Sequence, residues 1–455
     1  MSRNSFAVID EEKFKVFHWQ TIVTTGLGVF CDGYDLSSIG IVLPLVLGTF
    51  GIAKIGGFES AMLAASALVG AAVGALLFGL LGQNGRKRFY GLDVLLMGVM
   101  AIAQAFAPDL TWLIVLRFIL GIGIGADYVL SPTIMAEHAN RANRGRVIGI
   151  GFGVMWPLGA LFAGLLNLLL AGLGVSHDLQ WRIVLAAGAV PAFTVLYLRR
   201  RMPETARYLA RLAADPQAAS EVIRRISGQS IAAPLQDTRS FGEVFSKHAR
   251  MIFSAALLWL VFDIVIYSGI LFGPSLIAKS LGLGPIEFSL LMSILFGLPA
   301  VLFYALVGLD GFGRKPVQVW GFVAAAIMLV VFAVLKQYVA AIPLLGMIVF
   351  GLYTVAINGP AAVSGAGILG VELSPTRIRT VGQSITVVGG RIGASISAFL
   401  FPLFFTRLGE VGVISLLAGV ALLGAILTQI LVPETAGVSL ETLNDDNLPV
   451  TAAAE

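Results

Sequence analysis

The stretch that decides the fold is TWLIVLRFILGIGIGADYVLSPTIMA, residues 111–136. It is almost wholly apolar, and it exceeds the roughly 20 residues that an α-helix needs to cross the hydrocarbon core of a bilayer. Asp127 lies inside it, although a charge at the centre of a membrane helix costs about 2.5–3.5 kcal/mol on insertion scales. The stretch therefore predicts a membrane helix whose aspartate serves a function rather than packing.

The composition of the whole chain also predicts a protein that lies in a lipid bilayer. Of 455 residues, 57% are hydrophobic and 12% are charged, and the mean hydropathy is +0.91; soluble domains carry about 25% charged residues. The net charge of +4 is too small to indicate a nucleic-acid partner. Cys31 is the single cysteine, which excludes an intramolecular disulfide. We find no phosphate-binding lysine loop, His/Cys metal cluster or nucleophile elbow, so we expect neither an enzyme nor a cofactor.

Apolar runs of membrane-spanning length recur along the chain. We place twelve of them at 19–47, 57–82, 89–107, 111–136, 146–172, 181–198, 251–279, 286–307, 316–335, 341–366, 380–406 and 410–431. The longest polar interruption separates the sixth from the seventh. We therefore expect an N-terminal bundle (1–199), a cytoplasmic linker whose helical patches lie on the membrane surface (200–249), and a C-terminal bundle with a short tail (250–455).

The basic residues set the orientation. Clusters follow every even-numbered span, whereas the alternate loops carry few basic residues. The positive-inside rule places these loops, and with them both termini, in the cytoplasm. The polar first dozen residues contain no apolar signal core, so the first span is expected to act as its own signal.

Short motifs recur at equivalent places in the two halves. Gly85-Arg-Lys-Arg88 after span 2 matches Gly313-Arg-Lys315 after span 8, and Pro203-Glu-Thr205 after span 6 matches Pro433-Glu-Thr435 after span 12. Glu137 and Glu372 each precede a pair of arginines. The pattern indicates an internal duplication. It predicts an all-α membrane protein with twelve transmembrane helices in two pseudo-symmetric six-helix bundles around a central site.

On these motifs the chain resembles the major facilitator superfamily over nearly its whole length, and the Pro-Glu-Thr segments are similar to those of sugar porters. The resemblance implies cytoplasmic charge networks that latch one conformational state. We expect Glu137 to pair with Arg144 or Arg146, and Glu372 with Arg377 or Arg379. The gate residues that the resemblance implies are Arg86, Glu137, Arg144, Arg146, Asp310, Arg314, Glu372, Arg377 and Arg379.

Within the superfamily the chain resembles the phosphate:proton symporters, through the Asp127-Tyr128 pair and through Trp259, Asp263 and Tyr267. The last three lie at i, i+4 and i+8, on one helix face. Donors such as Tyr O–H and Trp N–H suit an oxyanion, and a carboxyl beside it must be protonated. The substrate-binding residues that we predict are Tyr128, Trp259, Asp263, Tyr267, Asn358, Trp156 and Arg391.

The same resemblance implies a proton path. We predict Asp32 and Asp127 as proton carriers, with Asp93 at a position linked to proton passage. Asp35 lies three residues after Asp32, so both can face one cavity, as structural or path-lining groups. Two roles are open for Arg391: counter-ion to a buried aspartate, or direct ligand of the anion.

Two departures leave the substrate open. The phosphate branch carries a glutamine where this chain has Met155-Trp156, and its asparagine in span 10 is displaced by about one turn at Asn358. The first helix, Cys31-Asp-Gly-Tyr-Asp35, also resembles aromatic-acid:proton symporters. We therefore predict a proton symporter that imports a small anion, with inorganic phosphate as the first candidate. The alternatives are an organic or aromatic acid:proton symporter, then a sugar:proton symporter, with a transporter-like solute receptor as a minor alternative. Its partners are protons, the solute and the lipid bilayer, and we expect a monomer in the plasma membrane.

Overall fold

The computed structural model describes residues 6–52, 58–229 and 236–444, and within these ranges every regular element is helical. Ten helices are long and apolar enough to cross a membrane, and an eleventh is apolar but short. We number the spans α1 Val16–Thr49, α2 Phe58–Asn84, α3 Leu92–Gln104, α4 Leu110–His138, α5 Arg144–Gly172, α6 His177–Arg200, α7 Phe241–Phe272, α8 Ile286–Gly311, α9 Arg314–Val334, α10 Pro343–Glu372, α11 379–408 and α12 410–431.

The last two spans come from one continuous helical segment, Arg379–Leu431, which Gly409 interrupts with φ +70° and ψ 174°. Fifty-three residues of helix would extend about 80 Å at 1.5 Å per residue, far beyond a hydrocarbon core of about 30 Å. The interruption at Gly409 therefore makes two spans, and the predicted twelve-helix membrane fold is confirmed.

Three spans differ from their predicted limits. The α3 helix covers only Leu92–Gln104, and α7 begins at Phe241 rather than at 251. The α10 span is broken: a regular helix ends at Asn358, a 3₁₀ turn covers Pro360–Val363, and helix resumes at Ile368. Pro360 has no N–H to continue the helical ladder, which explains the break, whereas hydropathy does not register a missing donor and predicts a continuous span.

Glycines bring the helix backbones into contact, as the run around Gly121 predicts. A Cβ on Gly121 would lie 2.2 Å from the carbonyl oxygen of Ala67 in α2, and one on Gly393 of α11 would lie 2.2 Å from that of Leu260 in α7. Such small-residue contacts are the ordinary way for membrane helices to associate.

The loops after α2, α4, α6, α8 and α10 lie on one face of the bundle, called here the basic-loop side. Short helices at Ala7–Asp10 and Leu440–Leu443, together with Ala206–Arg211 and Pro216–Ser227 between α6 and α7, cover it. Phe6, Ile9 and Phe17 pack with Ala206 and Ile223 in one apolar cluster. The N-terminal segment and the connection between the halves therefore form one small cap.

Candidate functional site

A buried ion pair lies at the centre of the molecule. Arg391 of α11 donates from Nη2 to Oδ2 of Asp263 and from Nη1 to the hydroxyl of Tyr267, both at 2.8 Å. Asp263 and Tyr267 lie one helical turn apart on α7, which explains how one guanidinium reaches both. The Nε of Arg391 has no hydrogen-bond partner among the described residues.

The N-terminal half supplies the opposite wall of this centre. The Arg391 guanidinium carbon lies 4.6 Å from the ring centroid of Tyr128 in α4, close enough for a cation–π interaction. The Tyr128 hydroxyl accepts a hydrogen bond from Nε1 of Trp156 at 2.7 Å. One positive group of the C-terminal half therefore faces an aromatic wall of the N-terminal half.

Three cavities follow the interface between the halves. A cavity of about 60 Å³ is lined by Arg391 and Tyr128. A larger one of about 120 Å³ lies beside Ser37, and a smaller one of about 20 Å³ lies beside Leu309, next to the basic-loop side. Asn358, at the break in α10, lines all three. The path narrows toward the basic-loop side, so the described conformation is closed there.

The cavity of about 60 Å³ is called here the middle cavity. Most predicted binding residues line it: Tyr128, Trp156, Asp263, Tyr267, Asn358 and Arg391. Trp259 does not line it. Its ring is buried, 6.1 Å from that of Tyr128, and it fills the space that Gly390 leaves open. The i, i+4, i+8 spacing put Trp259 on the correct face of α7, but the close approach of α11 covers it.

A second buried cluster lies within the N-terminal half. Arg199, at the end of α6, donates to Asp93 of α3 and to Asp127 of α4, both at 2.5 Å. Ser131 donates to Asp127 at 2.6 Å and shares a hydrogen bond of 2.7 Å with the Tyr90 hydroxyl. None of these side chains lines the three cavities, so this cluster is separate from the central site although Asp127 and Tyr128 are adjacent in sequence.

Asp32 and Asp35 have different neighbours, contrary to the expectation that both face one cavity. Asp32 is fully buried and interacts electrostatically with Asp127 and Arg199. Asp35 interacts instead with Arg117, which also donates to the Asp35 carbonyl at 3.3 Å. Three residues along a helix leave a difference of about 60° in direction, enough to meet different neighbours.

Two buried carboxylates organise the basic-loop side. Glu137 accepts from Arg86 of its own half at 3.4 Å and from Arg379 of the other half at 2.8 Å. Glu372 repeats the arrangement, accepting from Arg314 of its own half at 3.2 Å and from Arg144 of the other half at 2.7 Å. Thr205 and Thr435 of the Pro-Glu-Thr motifs each donate to the carboxylate of their own half. We call this set the inter-half network.

The predicted partners in this network are wrong, because the halves exchange arginines. Neither Arg146 nor Arg377 reaches a glutamate in the described contacts: the Arg146 guanidinium donates to the Leu306 carbonyl at 3.1 Å, and Arg377 is half-buried. Asp310 accepts from the backbone N–H groups of Gly145 and Arg146 at 2.9 and 2.7 Å.

Sequence reasoning missed two contributors. Gln83 lies near the place where the duplicate loop has Asp310, and it donates to the Thr380 hydroxyl of the other half at 2.7 Å. Arg199, which lies in sequence at the boundary between the N-terminal bundle and the linker, is fully buried while Arg200 beside it is exposed. A weak signal existed for Arg199, since three buried aspartates need a cation and the first arginine after span 6 is the nearest to the membrane.

Comparison with known proteins gives one family match and several relatives that align over nearly the whole chain. The family model described as sugar (and other) transporter matches residues 21–446. The probable inorganic phosphate transporter 1-6 of Arabidopsis thaliana is 29% identical, covering 97% of this chain and 96% of that protein. The probable inorganic phosphate transporter 1-10 of Oryza sativa subsp. japonica is 31% identical over 96% of this chain and 91% of that one. The low affinity inorganic phosphate transporter 4 of Lotus japonicus is 30% identical, covering 98% and 95%.

Solved structures share the fold. The proton:xylose symporter XylE bound to 6-bromo-6-deoxy-D-glucose superposes with a TM-score of 0.79 at 22% identity, covering 95% of this chain and 99% of that one. The inward open conformation of the xylose transporter XylE from E. coli gives 0.69 at 21% identity, covering 94% and 99%.

Proposed function

Because the chain belongs to the sugar (and other) transporter family, we propose that it is a proton-coupled symporter that imports inorganic phosphate by alternating access of its two halves. The names of its relatives support phosphate as the solute. The observation that carries the proposal is Arg391, which lines a small cavity together with Tyr128 and Tyr267 and donates to the Tyr267 hydroxyl.

The charges of the central site explain how an anion and a proton depend on each other. Arg391 is neutralised by Asp263 in the described state, so an entering anion would leave the cavity with a net negative charge. A proton on Asp263 removes that charge and frees Nη2 of Arg391 for the anion. Binding of the anion and of one proton is therefore cooperative at this pair.

The other predicted residues take roles from their places. Asp32, Asp127 and Asp93 form the proton-carrying cluster, and Asp35 beside Arg117 stabilises the helices around it. The inter-half network is the cytoplasmic gate: the pairs that join the two halves, Arg379 with Glu137 and Arg144 with Glu372, must separate before the anion leaves inward.

The setting of the protein completes the proposal. The bundles 1–199 and 250–455 move about the central site, and 200–249 links them in the cytoplasm. The basic-loop side faces the cytoplasm, as do both termini. The protein acts as a monomer in the plasma membrane, and its chemistry is transport rather than catalysis.

An organic acid is the second candidate, and Trp156 is the observation that favours it. The Trp156 ring borders both the middle cavity and the larger one, which Phe288 and Phe350 also line. An aromatic carboxylate could place its acid on Arg391 and its ring in the larger cavity. The sugar alternative rests on the Pro-Glu-Thr motifs, which lie in the gate and line none of the three cavities between the halves.

Uptake into proteoliposomes separates these candidates. Labelled phosphate should accumulate when the exterior is more acidic than the lumen, and a protonophore should abolish the accumulation. Excess benzoate or hexose should not compete. Accumulation of label that excess unlabelled phosphate does not reduce would refute phosphate as the solute. Uptake that needs no proton gradient would refute proton coupling.

A further inference from the structure

Arg199 is built into the core rather than attached to its surface. It is the first of three consecutive arginines, yet its side chain is fully buried while those of Arg200 and Arg201 are exposed. Its guanidinium carbon lies 3.8 Å from the ring centroid of Tyr90, and a Cβ on Gly28 would lie only 1.8 Å from its Nη2. A glycine in α1 and an aromatic face thus make room for this one cation.

The groups that face Arg199 are mostly acids. They come from the segments packed around it: Asp32 and Cys31 of α1, Tyr90 just before α3, Asp93 in its first turn, and Asp127 of α4. Asp93 and Asp127 are both bonded to the guanidinium, and the Asp32 carboxyl faces that of Asp127. No other group in the described chain donates to Asp32 or to Oδ2 of Asp127.

Charge counting then assigns the proton. With three ionised carboxylates and one guanidinium the buried cluster would carry two uncompensated negative charges, which a low-dielectric site does not hold. One proton between Asp32 and the free oxygen of Asp127 reduces the excess to one. Without the guanidinium the cluster would need a further proton to reach the same charge.

We propose that Arg199 is the positioning residue of the proton path, a fixed counter-cation bonded to Asp93 and Asp127 that leaves the cluster with a single proton, held between Asp32 and the free oxygen of Asp127, which can be released again. The proposal rests on the proton-coupled function above. It adds that release, rather than uptake, of the proton is the step that depends on Arg199. An opposite charge at hydrogen-bond distance favours the ionised form of a carboxyl and lowers its pKa by about 1–3.

Transport assays of Arg199→Gln test the kinetic half of the proposal. Net phosphate uptake driven by a pH gradient should fall at least about tenfold, and phosphate counterflow, which needs no net proton release, should fall less. Raising the luminal pH by about two units should restore net uptake. Arg199→Lys should recover part of it, and Arg200→Gln, the exposed neighbour, should match the wild type. Equal loss of counterflow and net uptake without alkaline rescue would overturn the proposal, as would unchanged net uptake.

A substrate-free measurement keeps the proposal distinct from phosphate transport itself. Infrared spectra of the purified protein report the C=O stretch of protonated carboxyls. In Arg199→Gln that band should persist to a pH about 1–3 units higher than in the wild type. Asp32→Asn should remove the wild-type band. A wild type that fails to accumulate phosphate would refute the proposed function alone, whereas an unshifted band in Arg199→Gln would refute the role of Arg199 alone.

Discussion

Replacing Glu372 with glutamine should open the basic-loop side of the protein. Glu372 is fully buried and accepts from Arg144 of the opposite half at 2.7 Å and from Arg314 of its own half at 3.2 Å. The contact with Arg314 can persist in every state because both residues move together. Only the contact with Arg144 must break when the halves separate, so only that contact biases the equilibrium.

The magnitude follows from that single contact. A hydrogen bond between charged groups contributes about 1.5–3 kcal/mol, so its loss should shift the ratio of open to closed molecules by about 10- to 150-fold. Arg379 to Glu137 remains in place on the other side of the pseudo-twofold axis, at 2.8 Å. We therefore expect a marked shift toward the open form rather than collapse of the gate.

Distances between spin labels on Ala142 and Gly311, two exposed positions on opposite halves, measure the opening. Cys31 is the only native cysteine and is buried, so background labelling is low. Glu434→Gln is the matched control, because every donor to Glu434 among the described residues is a backbone N–H group of its own half, such as those of Arg314 and Lys315. An unchanged distance distribution in Glu372→Gln, or an equal shift in the control, would refute the reasoning.

Three further predictions concern the cavity and the tail. Asp263→Asn leaves Arg391 without its counter-ion, so phosphate binding should lose its pH dependence and phosphate release should slow by about 10- to 100-fold in stopped-flow exchange; pH-dependent binding in the variant would contradict this. Trp156→Ala should join the two larger cavities, so phenyl phosphate should begin to compete with phosphate uptake in the variant but not in the wild type. Burial raises the pKa of Glu441, but its ion pair with Arg207 more than offsets this effect, so the pKa lies below its ordinary 4.5. This contribution of Glu441 to docking of the tail is therefore complete above pH 4.5 and is lost as the pH falls through the lower value, which hydrogen exchange at Leu440–Leu443 should show; loss of protection already near neutral pH would contradict it.

The spans and the duplication could be predicted from the sequence because both depend on local properties. Hydropathy adds residue by residue, so twelve apolar runs predict twelve helices even where one span is broken at Gly359-Pro360 or where Gly409 separates two. The buried aspartates were equally visible, since a carboxylate within an apolar run is costly wherever it points.

The partners of those charges were not predictable, because they depend on which distant helix lies opposite. Arg379 reaches Glu137 and Arg144 reaches Glu372 only after the two halves dock, so a loop's own arginines were the wrong choice. Arg199 differs from Arg200 only by about 100° of helix rotation, and that rotation decides which one enters the acidic cluster. The sequence by itself determined a duplicated membrane bundle that carries buried acids; the tertiary structure alone decided which cation compensates each acid, since a desolvated ion pair is set by distances of a few ångströms between residues far apart in the chain.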